Sequence, residues 1–253
     1  MVTEMIRQFR KKLANGLVLG PFSKSMDPAF VEAMGHAGMD YVILDLEHGP
    51  NDVTTLADLI RAAEVAGLLP IVRVRSDEQI GQALDLGAGG VQVPHVAGAE
   101  RARKVIEEAR FAPLGRRGVC RYVRAADYSA KDRFAYFREA NEAVIVLQVE
   151  GTEGLANLDG ILGVEGVDVI FVGVYDLSQS LGIVGQVEDP RVSGKLVEIR
   201  DRCRERGIAV GTFVESVEAA RRWHAMGLSY LSYSVDVGIF TDACRQIAQG
   251  VKG

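Results

Sequence analysis

The chain has 253 residues, of which 48% are hydrophobic and 25% are charged, a composition that excludes extended disorder and a collagen-like fibre. Acidic residues outnumber basic ones by 34 to 29, and no basic stretch is longer than Arg10-Lys11-Lys12, so we expect no nucleic-acid partner. No apolar segment reaches the roughly 18 residues of a membrane span and no signal peptide is recognisable, so we expect no membrane partner.

Eight short apolar runs, rich in β-branched residues, recur along the chain. They are Leu17-Phe22, Tyr41-Leu46, Pro70-Val74, Gly90-Pro94, Val144-Val149, Asp168-Gly173, Ala209-Val214 and Tyr230-Val235. Near-continuous apolar runs are typical of strands buried on both faces of a parallel sheet. The segments between them carry helix signals, such as the caps predicted at Asp27-Pro28 and Asp189-Pro190. The pattern predicts strands that alternate with helices.

Alternating strands and helices fit either a closed (β/α)8 barrel or an open doubly wound sheet. The length is that of a barrel, and Ser23-Lys24-Ser25-Met26-Asp27 stands where a dinucleotide-binding sheet has its G-x-G-x-x-G motif. We predict an α/β fold, a (β/α)8 TIM barrel, in one domain over residues 1–253. Two long intervals, Pro94 to Val144 and Gly173 to Ala209, predict ordered loops at the site.

In a parallel barrel the chemistry lies at the carboxyl ends of the strands. Glu150 and Asp176 follow the fifth and sixth runs, and two hard carboxylates from adjacent strands suit a divalent cation such as Mg²⁺ or Mn²⁺. The alternative is that each acid caps the helix after its strand. Asp236 follows the eighth run and adds a further charge.

Histidine and arginine complete the predicted site. His48 follows Asp45 closely, and a carboxylate can orient an imidazole for acid-base work. Arg73, inside an apolar run, either reaches the barrel mouth to bind a carboxylate or enolate oxygen, or forms a structural ion pair. His95, just past the fourth run, is the only other histidine kept as a candidate. Arg75, Arg121 and Arg124 either bind a second substrate carboxylate or are solvated loop charges.

This set of residues resembles the HpcH/HpaI aldolases, the metal-dependent pyruvate aldolases related to the citrate lyase β subunit. The matching segments, in family order, are Asp45-Leu46-Glu47-His48-Gly49-Pro50-Asn51, Ile71-Val72-Arg73, Val91-Gln92-Val93-Pro94, Arg117-Gly118-Val119, Gln148-Val149-Glu150 and Asp176-Leu177-Ser178.

The resemblance implies roles for these residues. Glu150 and Asp176 bind Mg²⁺, Mn²⁺ or Co²⁺, Arg73 and Gln148 hold pyruvate, and His48 with Asp45 acts as acid and base through water. It also implies a homohexamer built as a trimer of dimers that exchange their C-terminal helix. Asp85 matches a position that supports the histidine across a subunit contact.

Two departures from the family pattern concern substrate choice. Tyr175 stands before Asp176 where the family commonly has a small residue, so its ring is expected to narrow the pocket. The segment Cys120-Arg121-Tyr122-Val123-Arg124 is bulkier and more basic than in the dihydroxyheptenedioate aldolases. Tyr175 and Arg124 are therefore predicted substrate contacts, and the identity of the aldehyde stays open.

The predicted function is reversible cleavage of a 4-hydroxy-2-oxoacid to pyruvate and an aldehyde, without a Schiff-base lysine, since none of the eight runs contains a lysine. The alternatives are a citrate-synthase-like or oxaloacetate-decarboxylating enzyme on the same scaffold and a non-catalytic dicarboxylate-binding protein. Three cysteines without a Cys-x-x-Cys pair argue against disulfides and a zinc ribbon. A reducing, cytoplasmic location is expected.

Overall fold

The computed structural model describes residues 2–253, and eight parallel strands form its centre. They close a barrel in chain order, with β1 paired to both β2 and β8. The strands are β1 (Val18–Ser23), β2 (Tyr41–Asp45), β3 (Leu69–Arg73), β4 (Gly90–Val93), β5 (Val144–Val149), β6 (Val169–Val172), β7 (Ala209–Val214) and β8 (Tyr230–Val235). All eight predicted strands and the predicted (β/α)8 barrel are confirmed.

Helices surround the barrel and connect its strands. They are α1 (Val2–Asn15), α2 (Pro28–His36), α3 (Val53–Val65), α4 (Glu78–Asp85), α5 (Ala99–Ala109), α6 (Arg133–Ala140), α7 (Thr152–Ala156), α8 (Leu158–Leu162), α9 (Val174–Ser180), α10 (Pro190–Glu205), α11 (Val217–Ala225) and α12 (Asp236–Lys252), with a 3-10 helix at Arg124–Ser129. The predicted caps are present, because Asp27 and Asp189 each accept a backbone N–H from the first turn. No helix within residues 2–253 has the length and hydropathy needed to cross a membrane.

The barrel interior is packed with side chains and is closed at its amino-terminal end by α1. Phe9 of α1 inserts its ring edge-on against Tyr41, with 5.8 Å between ring centres, and also contacts the ring of Tyr230. The interior of a barrel of this size is a core and not a pore. Only the carboxyl ends of the strands are left for a site.

The interval between β4 and β5 departs from the sequence-based expectation. Helix α5 returns the chain to the amino-terminal end of the barrel, so the residues that follow it begin at that end. Arg124 there forms an ion pair with Glu64 and donates to the carbonyl of Leu86. The loop predicted to reach this chain's own site therefore lies at the opposite end of its barrel. The second interval does reach the site, since α9 begins directly after β6.

Candidate active site

Side chains from seven of the eight strand ends, all but that of β4, meet in a cavity of about 270 Å³, hereafter the strand-end cavity. Five predicted site residues line it: His48, Arg73, Gln148, Tyr175 and Asp176. The rest of its lining is Phe22, Lys24, Phe171, Gly173, Val174, Phe213, Glu215 and Val235. The sequence-based grouping of polar residues at strand ends therefore corresponds to one place in the fold.

The floor of the cavity is built on a buried ion pair. Arg73 donates from Nε and Nη2 to the two carboxylate oxygens of Asp45, at 2.8 and 2.7 Å, and its guanidinium lies over the ring of Phe22. Burial raises the pKa of the Asp45 carboxyl, but the hydrogen bonds and charge of Arg73, with two backbone N–H donors, outweigh burial and hold that pKa below its usual value. The structural ion pair proposed as one interpretation of Arg73 is present, and the guanidinium also lines the cavity; its role in binding substrate stays a prediction.

The predicted contact between Asp45 and the imidazole of His48 is wrong. Asp45 accepts the backbone N–H groups of Glu47 and His48, at 3.0 and 3.3 Å, and its remaining capacity is taken by Arg73. The nearest carboxylate to the imidazole belongs to Glu47, with 3.6 Å between His48 Nε2 and Glu47 Oε2. Asp45 therefore fixes the backbone that carries His48, and the ring itself is free to reach a substrate.

Glu150 and Asp176 lie on either side of Gly173. A Cβ atom built on this glycine would be 3.2 Å from Glu150 Oε2 and 3.3 Å from Asp176 Oδ2, so the missing side chain keeps the space between the two acids open. Burial raises the pKa of Glu150; a hydrogen bond from Gln148 lowers it, and the nearby Asp176 charge raises it again. The two acids are therefore close enough to act on one ligand.

A buried hydrogen-bond chain orients Glu150. Tyr230 donates to Gln92, Gln92 donates to Gln148 at 2.9 Å, and Gln148 donates to Glu150 Oε2. The backbone N–H of His95 donates to the other oxygen, Glu150 Oε1, at 2.9 Å. Side chains held in this way lose little conformational entropy when a ligand binds.

The two acids fit a divalent cation that retains water and substrate ligands. Among residues 2–253, no three His, Cys, Asp or Glu side chains form a complete metal-ligand set, so the protein offers a pair of carboxylates and not a closed cage. Mg²⁺ and Mn²⁺ are bound in this manner, through one or two carboxylates with the remaining positions open. A cation between the acids also offsets the cost of burying Glu150 beside Asp176.

Three candidate site residues, Glu47, Lys24 and Glu215, were given no role by the sequence analysis. Glu47 contacts Arg73, His48 and His95, with 3.1 Å between His95 Nε2 and Glu47 Oε1. Lys24 and Glu215 line the cavity. His95, the reserve candidate of the sequence analysis, places its Nδ1 2.6 Å from Glu150 Oε1. The available signal was position along the chain, since Glu47 lies two residues beyond the end of β2, and Lys24 and Glu215 directly follow strands β1 and β7.

Two further charged residues have structural contacts. Asp236 is buried and accepts hydrogen bonds from the hydroxyl of Ser23 and from the backbone of Lys24 and Ser25, so it holds the turn that presents Lys24. Asp85 pairs with Arg117 at the amino-terminal end of the barrel. Asp85 therefore supports no histidine within its own chain.

A filled (β/α)8 barrel with paired acids, an arginine and a histidine at the carboxyl ends of its strands has the architecture of a barrel enzyme with its site at that end. Residues 19–243 match the HpcH/HpaI aldolase/citrate lyase family, and the chain belongs to that family. A hydroxypyruvate/pyruvate aldolase from Roseobacter denitrificans is 34% identical over 247 residues, which cover 96% of each chain. The chain is an aldolase, a carbon-carbon lyase.

Two solved structures are similar over nearly the whole chain. A family member from Burkholderia cenocepacia is 31% identical with a TM-score of 0.91, covering 97% of this chain and 99% of that one. A protein named citrate synthase SbnG is also 31% identical, with a TM-score of 0.85 and coverage of 98% and 97%. The fold is therefore shared with an aldolase family and with at least one condensing enzyme.

Proposed function

We propose that this aldolase reversibly cleaves a 4-hydroxy-2-oxoacid to pyruvate and an aldehyde, with a divalent cation held by Glu150 and Asp176. The observation that carries the proposal is the gap between these two acids at Gly173, which opens beside Arg73 and Gln148. Aldolases of this family generally depend on a divalent metal ion. Mg²⁺, Mn²⁺ and Co²⁺ are the candidates.

A bound cation supplies positive charge beside the 2-oxo group, where negative charge develops when the bond between C3 and C4 breaks. Arg73 is placed to share that charge, because its guanidinium faces the cavity while Asp45 fixes its plane. Gln148 lines the same floor and contributes a polar contact to the oxoacid. The floor thus holds the pyruvate half of the substrate.

His48 is the proposed acid and base. The His48 side chain lines the cavity and is 63% exposed, so a water molecule or the C4 hydroxyl can reach its imidazole. In cleavage, directly or through water, it accepts the C4 hydroxyl proton as the C3–C4 electron pair enters the enolate, and C3 then takes a proton to give pyruvate. In synthesis the imidazole returns a proton to the new alkoxide.

One experiment tests this function without knowledge of the aldehyde. Pyruvate is incubated with the protein and Mn²⁺ or Mg²⁺ in D₂O, and exchange of its C3 protons is followed by NMR. We expect exchange that stops with a chelator and returns when the metal is restored. Exchange that persists in the presence of chelator would contradict the proposed metal dependence. No exchange at all would favour a non-catalytic dicarboxylate-binding protein.

The similarity to a citrate synthase supports one second candidate, condensation of an enolate with a different electrophile. Oxaloacetate decarboxylation is a third reaction of the same enolate. Equal concentrations of an aldehyde and of oxaloacetate, offered with labelled pyruvate, separate the three by product mass. A predominant aldol product supports the proposal, and a citrate-like or decarboxylated product contradicts it.

We extend the proposal to assembly and location. Helix α12 presents five side chains at alternating three- and four-residue spacing: Val237, Phe240, Cys244, Ile247 and Val251. Four of them are large apolar residues 51 to 81% exposed, and a stripe of this kind is typical of a helix that packs on another. A homo-oligomer, a trimer of dimers in the family pattern, would cover it. A cytoplasmic location stays a prediction.

A further inference from the structure

Tyr175 and Glu215 form a hydrogen-bonded pair at the rim of the strand-end cavity. The Tyr175 hydroxyl donates to Glu215 Oε2, and both residues line the cavity. Tyr175 is 44% exposed, whereas Arg73 on the floor is 7% exposed. A substrate whose oxoacid end lies on the floor must therefore direct its aldehyde-derived end towards this rim.

The same pair separates the strand-end cavity from a second, smaller cavity of about 110 Å³. The smaller cavity is lined by Val187, Glu188 and Trp223 together with the shared residues Tyr175 and Glu215. The ring of Tyr175 packs against Phe213 with 6.2 Å between ring centres. The Tyr175 ring is therefore packed against Phe213, and its hydroxyl fixes the position of the Glu215 carboxylate.

Glu215 brings uncompensated negative charge to the rim. Within residues 2–253 no basic side chain pairs with it, and Tyr175 is its only protein donor through the side chain. The hydrogen bond to Glu215 raises the pKa of Tyr175 to about 12, so the tyrosine stays neutral at physiological pH. Glu188 in the adjoining cavity is different, because Arg222 pairs with it.

The two basic side chains that line the strand-end cavity, Lys24 and Arg73, have carboxylate partners other than Glu215. Arg73 is bound to Asp45 and Glu47, and Lys24 Nζ lies 3.9 Å from Asp45 Oδ2. Since no basic side chain within residues 2–253 forms an ion pair with Glu215, a carboxylate on an incoming aldehyde meets the charge of Glu215 at the rim. A hydroxyl group, in contrast, can donate a hydrogen bond to Glu215.

We propose that Glu215, positioned by Tyr175, is the residue that selects the aldehyde, favouring an uncharged hydroxyaldehyde over one that carries a carboxylate. This inference rests on the proposed function, since it concerns the second partner of the pyruvate enolate. The repulsion between two like charges a few ångströms apart at a partly exposed site is large enough to change a rate constant by about tenfold.

The experiment compares two small aldehydes, glycolaldehyde and glyoxylate, as acceptors for pyruvate. The measured quantity is the ratio of kcat/KM for glyoxylate to that for glycolaldehyde within one enzyme, so a general loss of activity cancels. We expect the wild-type ratio to be below one and Glu215→Gln to raise it by about tenfold. Glu218→Gln, which removes the same charge from an exposed position outside both cavities, is expected to leave the ratio unchanged.

Tyr175→Phe provides a second variant that keeps the ring and removes the donor. It should raise the ratio by a few-fold, less than Glu215→Gln, because the charge remains but is no longer fixed at the rim. A ratio that stays within twofold of wild type in both variants overturns the inference, as does a wild-type preference for glyoxylate. Absence of pyruvate proton exchange in the wild-type protein overturns the proposed function itself.

Discussion

Asp45 and Arg73 are direct register partners on neighbouring strands, and their side chains form a two-pronged ion pair at the point where β2 and β3 end. Asp45 is fully buried and Arg73 nearly so. Sheet register therefore determines how the guanidinium is presented to the cavity. A buried pair of this kind is costly to break from one side, because the remaining charge is left without its partner.

Asp45→Asn should destabilise the protein and reduce its activity together. The expected loss is about 3 kcal/mol in the free energy of unfolding at pH 7, since Arg73 keeps only Glu47. The folded-state pKa of Asp45 lies below its unfolded value, so its contribution is complete above about pH 4 and is lost as the pH falls through the folded pKa. Urea unfolding of both proteins should show a difference that narrows below pH 4. A difference that does not depend on pH would contradict the assignment.

Gly173→Ala should weaken binding of the divalent cation without unfolding the barrel. Its φ and ψ of −75° and 98° are open to alanine, but the added Cβ would crowd Glu150 and Asp176. We expect the Kd for Mn²⁺, measured by the electron paramagnetic resonance signal of the free ion, to rise at least tenfold. The matched control is Gly151→Ala, two residues after β5, where a Cβ meets nothing within 4 Å. Equal affinities in the two variants would place the ion elsewhere.

His48→Ala should lower kcat for aldol cleavage by roughly 10²-fold and leave thermal unfolding near that of wild type, because the imidazole is mostly exposed. The rate is followed through release of pyruvate. His36→Ala, an exposed histidine at the end of α2, is the control for a general effect of losing an imidazole. Turnover close to normal in His48→Ala would move the role to His95, the other imidazole near Glu47.

The sequence predicted most of the fold because each strand is an apolar run with a clear end. It also placed Arg73, Gln148, Glu150 and Asp176 at those ends, where the structure brings them together. The sequence could not show that the Asp45 side chain pairs with Arg73 and not with the imidazole of His48, because that outcome depends on which donors compete for one carboxylate. Asp45 is two residues from Glu47 and is in register with Arg73 on the neighbouring strand. This register places the guanidinium of Arg73 beside the Asp45 carboxylate.

The position of Arg124 shows that composition alone misplaced one loop. Its basic, glycine-bordered segment has the composition of a site loop, yet helix α5 carries the chain to the other end of the barrel before that segment begins. Strands and helices run in opposite directions along the barrel axis. The end of the barrel at which a loop lies therefore depends on whether it follows a strand or a helix, and not on the composition of the loop. Arg124 instead binds Glu64 and Leu86.

The apolar stripe on α12 predicts a change in assembly upon a single substitution. Ile247 is 67% exposed in the isolated chain and lies between Cys244 and Val251 in the stripe. Ile247→Asp places a charge in any helix contact made there, so we expect a smaller particle by light scattering after size-exclusion chromatography. Gln249→Asp, about 200° further round the helix, adds the same charge on another face and should leave the mass unchanged. A monomeric wild-type protein, or equal masses for both variants, would show that another copy of the chain does not cover this stripe.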